Sequence, residues 1–310
     1  MSVHPAQAPA RTLRAGDRVL ELGTRPWLMG IVNASPDSFS DGGRRFTRER
    51  QLALARELLD AGADMLDIGG ESARTDRPAV PAEVEMERVV PLVARVAGEL
   101  GALVSVDTYK PAVAEAAIAA GAAIVNDVSG LRDERMAELC ARTGAALVVT
   151  HTAAAPGRRL QDPHRYGDIA GEVLTFLRER FTAAIAAGCS PEQLIADPGP
   201  DFSKTPAQTV ALLAHMERLH ELGRPLLMAI SRKDFIGALT QRPPRERLAG
   251  TLAALAHGVR AGAHIFRLHD VAAAADFLRV RAALEDALAV GPELVLAPEL
   301  RHDRLAGPLG

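Results

Sequence analysis

Apolar residues along this chain fall into two alternating kinds of run. Short, nearly continuous apolar stretches occupy 27–33, 64–68, 103–107, 123–127, 145–151, 194–197, 226–231 and 264–269. Each has a polar residue at its end or one place before it. Between them lie longer Ala- and Leu-rich stretches whose apolar positions recur every three to four residues. In 51–61, Leu52, Ala55, Leu58 and Leu59 share one stripe, and in 83–100 so do Val84, Val89, Leu92, Val93 and Val96. Others cover 112–120, 135–142, 171–187, 206–222, 247–261 and 272–288. The short runs suit strands buried on both faces of a parallel sheet, and the striped ones suit helices packed on it. Gly62, Gly101, Gly121, Gly144, Gly188, Gly223 and Gly262 follow helical stretches, where a left-handed helix end favours glycine.

Eight strand–helix units in strict alternation predict either a closed barrel or a doubly wound sheet. Their span, 27 to 288, favours the barrel. Residues 14–26, RAGDRVLELGTRP, read as a short hairpin under the barrel floor. The expected fold is therefore α/β: a (β/α)8 TIM barrel with an N-terminal hairpin. Residues 1–11 read as a disordered segment, 12–290 as one barrel domain, and 291–310, with little periodicity, as a loose tail.

Composition narrows the function classes. With 48% hydrophobic and 24% charged residues, the chain can bury one large core. A net charge of −3 gives no global field for nucleic acid or an anionic membrane, so neither is an expected partner. Cys140 and Cys189 lack CxxC spacing and read as buried, inert thiols in a reducing cytoplasm. The Ala- and Pro-rich start has no apolar signal-peptide core, and no uncharged run of 18 apolar residues occurs. Dinucleotide-binding, P-loop, zinc-ligand and nucleophile-elbow motifs are all missing.

In a barrel of this kind, chemistry lies at the C-terminal strand ends and the loops beyond them. The polar residues ending the runs are Asn33, Asp67, Asp107, Asn126 with Asp127, His151, Asp197, Ser231 with Arg232 and Lys233, then Arg267, His269 and Asp270. Taken singly, each has a structural reading. Asp67 can order the turn at Gly69 and Gly70, Asp127 and Asp270 can cap, and His151 can be a satisfied core histidine. Together they put carboxylates, amides and cations on one face. Carboxylates pair bidentately with an amidine-like N–H edge, and cations suit phosphate. The set points to a nitrogen heterocycle carrying an anionic leaving group. Two polar loops, 34–45 and 70–78, read as lids over this face.

At these residues the chain resembles the dihydropteroate synthase family. MGIVNASPDSFSDGG (29–43) and DMLDIGGESAR (64–74) look like its first two signatures. VSVDTYKPAVAEAAIAAGAAIVNDVSG (104–130), DPGPDFSK (197–204), LMAISRKDFIG (227–237) and GAHIFRLHDV (262–271) follow in order, so the resemblance covers roughly 13–285. It implies a barrel that joins 6-hydroxymethyl-7,8-dihydropterin diphosphate to p-aminobenzoate with release of pyrophosphate. By motif position it implies a pterin pocket of Asp107, Asn126, Asp197 and Lys233. Asn33, Arg267 and His269 would hold the diphosphate, with Asn33 beside Mg2+ and Arg74 joining from the second loop. Phe202, Ser231 and Arg232 would lie near p-aminobenzoate. Asp107, Asp197, Lys233, Arg267 and His269 would carry an SN1-like ionisation of the C–O bond. A homodimer through the late helices is also implied.

Some positions depart from the family pattern. Ala73 stands for Thr, Thr75 for Pro, GPDFSK for GFGFGK, and THTAAAPGRRLQ (150–161) replaces the usual fifth-strand segment. The altered stretches are similar to a divergent actinobacterial branch. Hence the alternative reading is an inactive relative that binds pterin or a partner protein. A methyltetrahydrofolate:corrinoid methyltransferase shares the barrel and pterin pocket, but Arg267 and His269 speak for a diphosphate. The retained SRK and strand-end Asp residues favour an active synthase. Asp201 is then expected to turn away from the substrate, to Arg232 or Lys204.

Overall fold

Every apolar run contains a parallel strand in the computed structural model, which describes residues 8–35, 47–71, 79–287 and 290–301. A hairpin of β1 (Arg11–Ala15) and β2 (Arg18–Leu22) comes first. Then follow β3 (Trp27–Asn33), α1 (Arg48–Asp60), β4 (Met65–Gly69), α2 (Ala82–Leu100), β5 (Val104–Asp107) and α3 (Pro111–Ala119). The middle of the chain gives β6 (Ile124–Asp127), α4 (Arg135–Thr143), β7 (Ala146–Thr150), α5 (Ile169–Ala186), β8 (Leu194–Asp197) and α6 (Pro206–Ala214). Last are β9 (Leu227–Met228), α7 (Asp234–Thr240), α8 (Leu248–Arg260), β10 (Ile265–Leu268) and α9 (Val271–Glu285). The sheet runs β8-β7-β6-β5-β4-β3-β10-β9, and a parallel bridge from Ala196 to Leu226 joins its two ends. The expected TIM barrel is therefore observed.

Strand side chains alternate between the barrel interior and the helix layer. The inward row at the floor is apolar: Met29, Met65, Leu103, Ile124, Ala146, Ile195, Leu227 and Ile265 pack together. Leu13, Ala15 and Leu22 of the hairpin join the same cluster. Two or four residues further along the inward rows come Asp67, Asn126, Asp197 and Arg267, then Asn33, Asp107, Ser231 and His269. Period 2 thus converts a dry floor into a polar upper end. The hairpin spans residues 11–22 rather than the expected 14–26, and Gly16 N–H donates to Gly144 O at 2.9 Å to fasten it to the α4–β7 turn. Gly144 has φ 75, which ends α4 in the left-handed conformation that glycine adopts freely.

Three elements differ from the periodicity reading. The stretch 206–222 is not one helix. His215 (φ −128, ψ 23) leaves the helical basin, and Met216–Leu222 continues as a 3-10 segment. Leu212, Leu213, Met216 and Leu219 are buried on both sides of the break, so one stripe spans two elements. Helix α7 was not foreseen, because seven residues are too few to show a stripe. Regular pairing of the seventh barrel strand is limited to Leu227 and Met228 at the barrel seam.

Both cysteines are buried, as expected, and burial pushes the Cys189 thiol up to about 11 and Cys140 further the same way. Backbone contacts divide the chain into Met1–Ala275 and Asp276–Gly310, a boundary within α9. In the second unit Leu284, Leu294, Val295 and Leu296 are exposed.

Candidate active site

Strand alternation brings the polar ends of the inward rows to a cavity of about 690 Å³. Asn33, Asp107, Phe202, Ser231, Arg232, Lys233, Arg267 and His269 line it, and residues 154–161 beyond β7 supply part of the wall. Asn126 and Asp197 are not among the residues that line the cavity, and each is 2% exposed. Arg74 falls outside the described residues, as do Ala73, Thr75 and most of the 34–45 loop.

At the inner end, one guanidinium joins two carboxylates. Arg267 Nε donates to Asp67 Oδ2 at 2.5 Å, and its Nη2 to Asp107 Oδ2 at 2.6 Å. Asn126 Nδ2 donates to the same Asp67 oxygen at 3.1 Å. Burial, with the charge of Asp67, pushes the Asp107 carboxyl up to about 7 against the pull of Arg267. The two carboxylates hold the Arg267 charge above its ordinary range, although burial opposes this. Arg267, expected on the diphosphate, is thus also bound to the carboxylate side of the cavity.

Asp197 is held by its own turn and by a neighbouring strand. Gly199 N–H donates to Oδ1 at 2.8 Å and the Thr150 hydroxyl to Oδ2 at 3.2 Å. Burial raises its pKa, while that N–H, Lys233 and Lys204 act the other way. The Lys233 ammonium sits 4.6 Å from the Phe202 ring centre, a cation–π placement. Burial lowers its pKa, with Asp201 and Asp197 opposing.

Asp201 lines the cavity instead of turning away from it, and it meets neither expected partner. Its Oδ2 accepts from the Asp234 backbone N–H at the start of α7 at 2.5 Å, and its Oδ1 from the Thr209 hydroxyl at 3.2 Å. A backbone N–H at a helix start is a ready carboxylate partner, whereas both cations are engaged elsewhere. Arg232 forms a bidentate pair with Asp270, at 3.0 and 2.6 Å. Lys204 is fully buried and donates to the carbonyls of Gly199 (2.8 Å) and Phe202 (3.0 Å) and to His151 Nδ1 (2.8 Å). Without a carboxylate in contact, burial lowers it to about 7. Asp201, Ser203 and Arg232 all have positive φ (66, 53 and 57), so both loops carry backbone strain beside the cavity.

The Ser231 hydroxyl accepts from the His269 backbone N–H at 3.1 Å and lies 2.9 Å from Nδ1. A hydroxyl that gives its own proton to Nδ1 leaves Nε2 as the ring's N–H. Recession into the cavity and the cations Arg267 and Arg232 hold this imidazole below its ordinary value, hence neutral at pH 7.

Sequence reasoning passed over several contributors. Asp67 ended a predicted strand but was equally readable as a turn former. Lys204 closes a recognised motif without any local sign that it is buried. Glu71 and buried Glu85 share Lys110, and Tyr109 donates to Glu71 at 3.2 Å. Glu71, Glu85 and Tyr109 line the cavity. No local signal joins these residues, because they come from three elements.

Among the described residues no three His, Cys, Asp or Glu side chains converge as a metal cage. Asn33 offers one amide oxygen at the cavity wall. One neutral oxygen suits Mg2+ when phosphates and water complete the octahedron. The residues therefore fit an ion carried by a diphosphate, not one caged by protein.

The pterin binding enzyme family model matches residues 29–269. The dihydropteroate synthase of Bacillus subtilis is 40% identical over 245 residues, 79% of this chain and 83% of that protein. The Xanthomonas albilineans dihydropteroate synthase, solved with 4-aminobenzoic acid, is 44% identical with a TM-score of 0.81, covering 90% of this chain and 100% of that one. The same enzyme in complex with 7,8-dihydropteroate gives a TM-score of 0.79 at 44% identity, over 90% and 100% of the two chains. Those motifs, in order on a barrel with this cavity, place the chain in a known group: it belongs to the dihydropteroate synthase family of pterin-binding enzymes.

Proposed function

We propose that this chain is an active synthase, joining 6-hydroxymethyl-7,8-dihydropterin diphosphate to p-aminobenzoate to give 7,8-dihydropteroate and pyrophosphate in folate biosynthesis. The observation that carries the reading is one cavity with carboxylates around its inner end and Lys233, Arg267 and His269 on its wall. The C–O bond breaks with its electron pair leaving on pyrophosphate. The arylamine nitrogen then bonds to the methylene carbon and releases a proton to water. Asp107 and Asp197 offset positive charge that spreads over the ring as the bond ionises. Arg267 and the His269 Nε2–H stabilise charge on the departing diphosphate. Such fixed groups contribute most in a site that excludes water. Lys233 and Asp197 bind the two sides of the pterin ring, with Asn126 beside them. Phe202, Ser231 and Arg232 border the p-aminobenzoate position.

Asn33 would hold Mg2+ brought by the diphosphate, and that ion would supply further neutralisation of the leaving group. A homodimer formed through the helices after barrel strands six to eight, α6 to α9, completes the reading, supported by Val210, Leu239, Leu248 and Val280 exposed on those helices. A cytoplasmic setting accords with two free cysteines, and no described helix is long and apolar enough to cross a membrane.

The test is pyrophosphate release by the purified protein. Release that requires both the pterin diphosphate and p-aminobenzoate is expected. Pterin binding without release would instead identify a non-catalytic relative.

A further inference from the structure

Asp67 is fully buried on the inward face of β4. Its Oδ2 receives both the Asn126 amide and the Arg267 guanidinium. A carboxylate oxygen can only accept a hydrogen bond, so it fixes which end of the Asn126 amide faces it. The N–H2 group turns to Asp67 with one of its two hydrogens, and the oxygen faces the other way. That oxygen, Asn126 Oδ1, is buried and has no partner among the described residues. Leaving a buried acceptor unpaired is costly, which suits an atom that a bound donor completes. The same Asp67 oxygen holds one edge of Arg267 while the other edge reaches Asp107.

We propose that Asp67 is a positioning residue of the pterin pocket: it sets Asn126 as an acceptor for a ring N–H and holds Arg267 against Asp107. This inference rests on the pterin-binding reading above. Asp67 is not among the residues that line the cavity, and its other oxygen, Oδ1, is likewise buried without a partner among the described residues. Asp67 acts through two neighbours, both donors to one oxygen.

A hydrogen-bond swap tests it, with 6-hydroxymethylpterin as the probe in calorimetry. Asp67→Asn and Asn126→Asp, made singly, each spoil the donor–acceptor match and should lower affinity at least tenfold. Made together they restore a donor facing an acceptor between the two positions, keep the net charge and again leave an acceptor over, although the new amide N–H2 no longer accepts from Arg267 Nε. The double variant should bind at least about threefold more tightly than either single, a difference of roughly 0.7 kcal/mol, while staying weaker than wild type. A residue that merely supports the fold would not be rescued this way. In turnover, Asp67→Asn should raise the KM for the pterin diphosphate while the KM for p-aminobenzoate stays within twofold.

Single variants with wild-type affinity would overturn the proposal, and so would a double variant no better than either single. If the singles do not fold, the double is compared with Asn126→Ala and must bind at least about threefold more tightly. A double variant that itself fails to fold also counts against the proposal, because restored pairing is its central claim. Failure of the wild type to bind the pterin would instead overturn the reading on which the proposal rests.

Discussion

A carboxylate ending a strand can order a turn or serve a ligand, and this barrel contains both outcomes. Asp127 accepts the backbone N–H groups of Ser129 and Leu131 at 2.7 and 3.0 Å, closing its own turn. Asp197 also takes a backbone N–H but stands close enough to Lys233 to feel its charge. Replacing Asp197 by Asn removes that charge and places a donor where the ring offers donors. Affinity for a pterin lacking the diphosphate should fall about 30-fold or more, since losing a buried charged hydrogen bond costs about 2–5 kcal/mol. Calorimetry on a folded variant decides it, and unchanged affinity would remove Asp197 from the pocket. Asp201 is the residue that departs most from the family pattern. Both its oxygens are engaged, by Asp234 N–H and Thr209, and its φ of 66 suits glycine. Asp201→Gly should therefore change the KM for p-aminobenzoate by less than about threefold, as a compensated charge contributes little. A gain of about tenfold, roughly 1.4 kcal/mol, would mean that the carboxylate obstructs the second substrate.

At the scale of elements, the turn after β8 organises half of the site. Gly199 has φ +66, and a Cβ there would lie 2.1 Å from the carbonyl oxygen of His151 at the end of β7. Only the absence of a side chain lets the two strand ends approach so closely. From this turn come the N–H on Asp197 and one carbonyl on Lys204. Gly199→Ala should cost about 2 kcal/mol or more, from left-handed strain and the overlap together. Urea denaturation measures that loss, and the pterin KM should rise with it. Wild-type stability and KM would show that the turn relaxes freely.

Stability across pH is a property of the whole molecule, and His151 links it to the site. Burial, followed by the charge of Lys204, lowers this imidazole to about 2 from its ordinary 6.5. Because the folded value is depressed, the unfolded chain takes up the proton first. Stability is therefore lost as pH falls below 6.5, and keeps falling towards the folded value. Between pH 6.5 and 5 this one group should cost about 2 kcal/mol, at roughly 1.4 kcal/mol per pH unit. Denaturation curves at both pH values should show a shallower loss for His151→Asn than for the wild type. Equal losses would mean that other groups set the acid limit.

Strands, helices and the polar ends of the inward rows were legible in the sequence because they depend on local periodicity. A side chain two residues on along a strand faces the same way whatever the rest of the fold does. Motif order likewise identified the family before any coordinate. The break at His215 and the short α7 were not legible, since one apolar stripe cannot report a change of helix type and seven residues barely make a stripe. Who bonds to whom was decided by the tertiary structure alone. Barrel closure sets β10 beside β3, which brings Arg267 to Asp67, 200 residues earlier in the chain. It also seats Asp201 on the first N–H of α7 rather than on Lys204 or Arg232. These pairings follow from strand register and ring closure, which no local pattern encodes, and they determine whether each charge at the strand ends is held by the protein or left for a ligand.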